Sequence, residues 1–363
     1  LIALLGVIFG SRRAEQLDQQ AERIRASLRI ENDNDKKREF VEQLVGHCYK
    51  YDGLSERSIR VRELFGQGLC RSLVGNKSRG GVNLSLVPLH NERLDSVDFY
   101  RGNLVGIDLG NSQLQNAILR DTILVGAQLQ GADLQGADLT RTDLNHADLS
   151  DTALQNATLT QAMLQHGALR NALLNQADLR RAVLANTQLN RAQFDGADLK
   201  NADLSGATGS NGTDFTDADL DAIHGKYLEL QNARLINTAF RSADLANAKF
   251  NGSDLRAADF SGATLTDSYF KGADLHSADF SGADLTEADL SNAELHSANF
   301  SGAIMQGTNL TRAQGLTSDQ FASGNGPREL CIPEDKRPDT ISLETLKWDR
   351  DCPPEEADSE QSD

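Results

Sequence analysis

His276 and His296 stand twenty residues apart, two imidazoles of the kind that hold a transition metal or pass a proton. No third ligand type repeats with them, so the pair reads as repeat residues stacked on an outer surface. Asp217, Asp219 and Asp221 copy the opening of an EF-hand loop, where alternate carboxylates wrap calcium. Ala222 stands where that loop requires Gly and Leu228 where it requires its closing Glu, so the run reads as an exposed acidic patch. Gly75-Asn76-Lys77-Ser78 lacks the glycine that a phosphate-binding loop places directly before its Lys, and the chain has no H-E-x-x-H and no C-x-x-C. Cys48, Cys70, Cys331 and Cys352 are expected to be free thiols in a cytoplasm and the local pairs Cys48–Cys70 and Cys331–Cys352 in an oxidising compartment. No catalytic constellation emerges. The expectation is a protein without enzymatic activity, cofactor or metal.

The elements that carry these residues follow from a beat of five. Every fifth residue from Leu94 to Leu204 is Leu or Phe, and the rhythm resumes from Phe215 to Leu310. Five steps of an α-helix advance about 140°, which would scatter the leucines around the axis. An odd spacing in a flat strand throws them onto opposite faces. The beat works only if the chain turns a corner every five residues. In Ala132-Asp133-Leu134-Gln135-Gly136 and Ala137-Asp138-Leu139-Thr140-Arg141 the centre and the small residue two before it are apolar, and the other three are polar or Gly. A longer period sits inside the short one. Phe240, Phe260, Phe280 and Phe300 are spaced by twenty, as are Phe250 and Phe270. Four units then make one coil with four sides, and the phenylalanines form ladders on two opposite inner faces. A fixed period of this length means a solenoid.

These A-(D/N)-L-x-x units resemble the pentapeptide-repeat family. The resemblance covers residues 82–315 and implies a mainly β fold, a right-handed quadrilateral parallel β-helix. The frame slips near residues 208–214, where Thr208-Gly209-Ser210-Asn211-Gly212-Thr213 delays the next centre to Phe215 by one residue, and Gly225 then occupies a centre where Leu is expected. The insertion reads as a bulge on one corner; relatives that bind topoisomerases carry recognition loops, for which one residue is a poor finger.

The ends read differently. Residues 1–10 are all apolar or Gly and are followed by Ser11-Arg12-Arg13, so residues 1–13 are expected to be the end of a membrane helix with a stop-transfer flank. Arg12, Arg13, Arg23, Arg25 and Arg29 then place the rest of the chain in the cytoplasm by the positive-inside rule. Residues 14–38 read as a juxtamembrane helix and linker. Ala14, Leu17, Ala21, Ile24 and Leu28 form a two-heptad seam, which suits either a homodimer stalk through residues 14–28 or a single amphipathic helix. Residues 39–81 read as a helical cap, residues 316–352 as a capping segment with Ile332-Pro333, Arg337-Pro338 and Trp348, and residues 353–363 as a disordered acidic tail.

The net charge is −17, divided as +4 over residues 1–90, −14 over 91–310 and −7 over 311–363. This argues against direct nucleic-acid binding. It suggests the DNA mimicry of gyrase-binding relatives, but −14 on a rod of about 50 Å has roughly half the charge density of duplex DNA. Four units per coil bring Arg101, Arg120, Arg141, Arg180, Arg181, Lys200 and Arg241 to one column just after the centres. That corner is either a stripe for an anionic partner or membrane, or charge interspersion on an acidic surface. The expected function is a membrane-tethered, non-catalytic scaffold that docks an unknown protein partner; the alternative is a DNA-mimicking binder of a type II topoisomerase.

Overall fold

A computed structural model describes residues 89–317 and Gln320. The apolar run, the segments assigned to helices, repeat residues 82–88, nearly all of the C-terminal segment and the four cysteines lie outside the described residues. The chain divides into two compact units between Asp214 and Phe215.

The first unit is built from parallel bridges in one register. Arg93 pairs with Gln113, Asp98 with Ile118, Asn103 with Ile123 and Asp108 with Gln128, each twenty residues on, so four five-residue units close a coil. The residue before each centre carries the pairing. Gln113 N donates to Glu92 O at 2.8 Å, and the carbonyl of Gln113 accepts from Leu94 N at 2.6 Å. A two-residue turn follows, closed by the backbone N–H three residues past the centre, as from Gly102 to Phe99 O at 2.8 Å. The second turn residue lies in the left-handed region, as a type II turn requires. Gly126 and Gly131 adopt it without a Cβ penalty (φ 63° and 66°), but Arg101, Arg141 and Arg181 adopt it too (φ 56°, 56° and 59°).

The corner every five residues puts each centre inside. Leu104, Leu109, Leu114 and Leu119 have no exposed surface, and the small residue two before the centre is buried with them. Each buried Leu contributes about 1.5–3 kcal/mol. Where the small residue is Ser or Thr, its hydroxyl is satisfied. Thr122 Oγ1 donates to Phe99 O at 2.8 Å, Thr142 Oγ1 to Leu119 O at 2.6 Å and Thr152 Oγ1 to Leu129 O at 3.0 Å. The repeat Asp has an equally local task. Asp138 Oδ1 accepts from Thr140 N at 3.1 Å and Thr140 Oγ1 at 2.7 Å, pinning the start of the turn.

The frame slip is a register change. The bridges step by twenty through Gln188–Thr208, whereas Gln193 pairs with Asp214, twenty-one on. The extra residue sits on a corner with Gly212 at φ 100°. It is tied down by Gln193 Nε2 to Gly212 O at 3.2 Å and by Arg191 N to Thr213 Oγ1 at 3.2 Å. It is a one-residue bulge, not an extended loop.

The second unit keeps the twenty-residue step from Asp219–Ala239 to Glu294–Gln314. Its centres are different. Phe240, Phe260, Phe280 and Phe300 stack in a nearly parallel ladder with centroids 4.9, 5.1 and 5.4 Å apart. Phe250 and Phe270 form a second ladder at 5.1 Å. The two meet edge to face across the interior, at 5.8 Å between Phe240 and Phe250 and 5.6 Å between Phe260 and Phe270. Gly225 leaves no hole at its centre. A Cβ there would lie 2.8 Å from Leu245 Cδ2 and 3.3 Å from Ile223 Cδ1, because Ile223 replaces the usual Ala two before the centre and fills the space from the side.

Candidate functional site

In the first unit the twenty-residue step places Tyr100, Arg120, Arg180 and Lys200 at the first turn position of one corner, and Arg101, Arg141 and Arg181 at the second. Arg241 takes the first turn position after Phe240 and belongs to the second unit. The coil therefore aligns the first unit's basic residues, but Arg120, Arg141 and Arg180 are engaged with carboxylates, as is Arg241 in the second unit. Arg141 grips Asp121 through two bonds of 2.7 and 2.8 Å. Arg120 reaches Asp138 at 3.2 Å. Arg180 binds Asp178 through Nε at 2.8 Å and lies 3.7 Å from Asp198. Arg241 pairs with Asp221 at 2.6 Å and lies 3.9 Å from Asp259. These contacts hold Asp121 below the ordinary carboxylate range, chiefly through Arg141, and Asp178 likewise through Arg180, while burial opposes both.

Two arginines stand apart. Arg101 lies over the Tyr100 ring, 5.0 Å from its centroid, and Arg120 approaches the same ring at 6.0 Å. Arg181 makes no ion pair or side-chain hydrogen bond among the described residues. Lys200 is anchored by its backbone N–H to Asp198 Oδ1 at 3.1 Å. Tyr100 escaped the sequence reading because that reading followed charge. Its signal was present, since Tyr100 directly precedes Arg101 and lies twenty residues before Arg120.

The acidic run at the start of the second unit is already occupied. Asp217 Oδ1 accepts from Asn237 at 2.7 Å, Asp219 Oδ1 from Asp221 N at 3.2 Å, and Asp221 holds Arg241. These carboxylates go to separate partners. His276 and His296 stack as their spacing predicts, 4.5 Å apart and 11° from parallel. His146 and His166 form a second stack at 5.2 Å. Among the described residues no helix is long and apolar enough to cross a membrane.

Parallel bridges at twenty residues, a corner at every fifth and one large apolar side chain inside each side define a four-sided β-solenoid. The chain belongs to the pentapeptide-repeat family: the family model "Pentapeptide repeats" matches eight copies over residues 93–127, 122–161, 169–206, 229–262, 253–292 and 273–312, more than half of the chain. Its coils accordingly wind as a right-handed quadrilateral β-helix. Among solved structures, the chain is similar to HetL from the cyanobacterium Nostoc sp. strain PCC 7120, a pentapeptide repeat protein involved in heterocyst differentiation regulation. That match has 25% identity, covers 71% of this chain and 98% of that one, and has a TM-score of 0.33. It is also similar to QnrB1, a plasmid-mediated fluoroquinolone resistance protein, at 18% identity over 62% of this chain and 89% of that one, TM-score 0.27. Rfr23 from the cyanobacterium Cyanothece 51142 matches at 27% identity over 40% of this chain and 84% of that one, TM-score 0.22. No curated protein matches the chain in sequence.

Proposed function

We propose that this protein is a non-catalytic scaffold that docks a protein partner, tethered to a membrane through residues 1–13 with its coils in the cytoplasm. The observation that carries the docking reading is the corner of Tyr100, Arg101 and Arg120. An aromatic ring flanked by two guanidinium groups has the composition of a binding hot spot, and the repeat places it on rigid backbone. Elsewhere on the coils many polar side chains are committed to the fold itself. The repeat aspartates cap turns, and most of the stripe arginines bind aspartates.

The test is a photo-crosslinking residue at Arg181, on the same corner, in the full-length protein in its native host. The expected result is a discrete protein adduct that disappears when Tyr100 and Arg101 are both changed to Ala. Adducts indifferent to that change would remove the corner as the docking face. The tether is tested separately. The protein as its native host makes it is expected to stay with membranes at high salt, and release by salt alone would mean an electrostatic contact instead.

The topoisomerase-binding alternative draws on the acidity of the coils. Against it, Asp138, Asp178 and Asp259 each turn one oxygen back to their own backbone, and arginines shadow the other. Purified gyrase titrated with the fragment from residue 32 is expected to keep its supercoiling activity. Inhibition that is lost when Asp274, Asp279, Asp284 and Asp289 become Asn would reverse the ranking.

A further inference from the structure

The stacked histidines of the second unit have a neighbour that their own spacing does not reveal. Asp274 bridges to Glu294 on the next coil, so the carboxylate one coil on is a Glu, one methylene longer. It reaches the imidazoles. One donor atom each from His276, Glu294 and His296 lies within 4.8 Å of the others, and Glu294 Oε2 is 3.7 Å from His276 Nδ1. Asp274 Oδ1 stands 2.5 Å from that same Nδ1. The backbone beneath is fixed by Leu275 N to Glu294 O at 2.9 Å and Ser277 N to His296 O at 2.8 Å. On its far side His296 packs over Gly315, where any Cβ would collide with the imidazole ring.

We propose that His276, Glu294 and His296 form a binding site for a zinc-class divalent transition ion, with Asp274 as the residue that positions His276. Two imidazoles and one carboxylate are a donor set for such an ion, not for calcium or magnesium, which take oxygen ligands. A water completes four-coordination. Asp274 takes Nδ1, which fixes the ring and leaves Nε2 for the ion, so Glu294, 3.7 Å from Nδ1, has to turn toward Nε2 as the ion enters. Bonds of about 2.0–2.2 Å set tetrahedral donors roughly 3.3 Å apart, so donors that lie within 4.8 Å of one another have to close by up to about 1.5 Å. Glu294 and His296 are exposed and His276 partly so, which leaves their side chains room to rotate over a fixed backbone. Because His276 sits on one coil and Glu294 and His296 on the next, the ion cross-links neighbouring coils near the end of the described chain.

The molecule contains its own control. His146 and His166 stack in the same manner at 5.2 Å, yet no carboxylate joins them in a three-donor group among the described residues. That pair therefore offers two donors where His276, Glu294 and His296 offer three.

The experiment uses the full chain, stripped with a chelator and then titrated with Zn2+ against a competing indicator, with bound equivalents also counted in desalted protein. His296→Ala and Glu294→Gln are each expected to remove one equivalent relative to the unchanged chain, whatever the cysteines bind. His166→Ala is expected to remove none. Asp274→Asn is expected to keep the equivalent but weaken it about 10–100-fold. Co2+ in place of Zn2+ is expected to give visible absorption whose tetrahedral component is lost in His296→Ala. Equal stoichiometry in His296→Ala, Glu294→Gln and the unchanged chain, each shown folded by circular dichroism, overturns the proposal. So does loss of an equivalent from His166→Ala equal to that from His296→Ala.

Discussion

The two units obey one backbone rule and fill it differently. Up to Asp214 the described centres are almost all Leu, with Phe only at 99 and 194; from Phe215 on, Phe occupies seven centres. A Leu column needs only burial. A Phe at every second centre brings rings from opposite sides into edge-to-face contact, and each coil adds a stacked partner above and below. Such pairs add about 0.5–1.5 kcal/mol beyond the area they bury. The difference shows that a five-residue frame fixes where side chains go but leaves open how strongly neighbouring coils are coupled through the interior.

The largest test of that contrast is Phe260→Ala, expected to cost about 3–5 kcal/mol in chemical denaturation because it opens a cavity in one ladder and removes the edge-to-face partner of the other. Phe260→Leu, which imposes the first unit's filling on the second, should cost less than half as much. A cost equal to the Ala variant would mean that ring contacts, not volume, hold the second unit.

Gly225→Leu restores the residue the repeat favours and is nevertheless expected to destabilise by about 1–3 kcal/mol, since Ile223 and Leu245 already occupy the space. A rise in the unfolding midpoint would show that the centre is truly underfilled. In the first unit, Thr142→Val removes the 2.6 Å bond to Leu119 O while keeping the shape, and should cost about 0.5–1.5 kcal/mol. The matching loss in the second unit, Ser253→Ala, removes the 2.7 Å bond to Leu230 O and should be similar. A marked inequality would place a packing difference beneath the shared hydrogen bond.

Acid affects both units by the same route. Asp121 and Asp178 in the first unit and Asp254 in the second are held below the ordinary carboxylate range, foremost by their arginine partners. A folded value below the unfolded one contributes stability that is full above the unfolded value and is lost as pH falls through the folded one. The unfolding midpoint should therefore be flat near neutrality and fall below about pH 4. Arg141→Gln should flatten part of that fall in the first unit only. The smallest effect belongs to Asp259→Ala, beside Phe260 but outside the core. It loses one turn bond of 2.9 Å to Ser261 N and should cost at most about 1 kcal/mol; a loss as large as that of Phe260→Ala would break the assigned frame.

The sequence by itself determined the coil. A Leu or Phe at every fifth position admits no helix and no flat strand, and phenylalanines twenty apart required four sides, so the stacked ladders and the aligned basic corner could be read before any coordinate. Composition also carried the bulge, because one added residue moves every later centre by one. Tertiary structure decided what each side chain does with its position. Spacing showed that Arg120, Arg141 and Arg180 share a corner but not that Asp138, Asp121 and Asp178 meet them there, since those carboxylates approach from other coils or from the sheet face beside the turn. It showed an empty centre at Gly225 but not that Ile223 fills it from a neighbouring position. It paired His276 with His296 but missed Glu294, because the offset of eighteen, shared with Arg120–Asp138 and Arg241–Asp259, is neither the five-residue nor the twenty-residue period that the reading followed. The physical reason is the same in each case. Period fixes where the Cβ of every residue sits, whereas side-chain length and rotamer decide which atoms then touch.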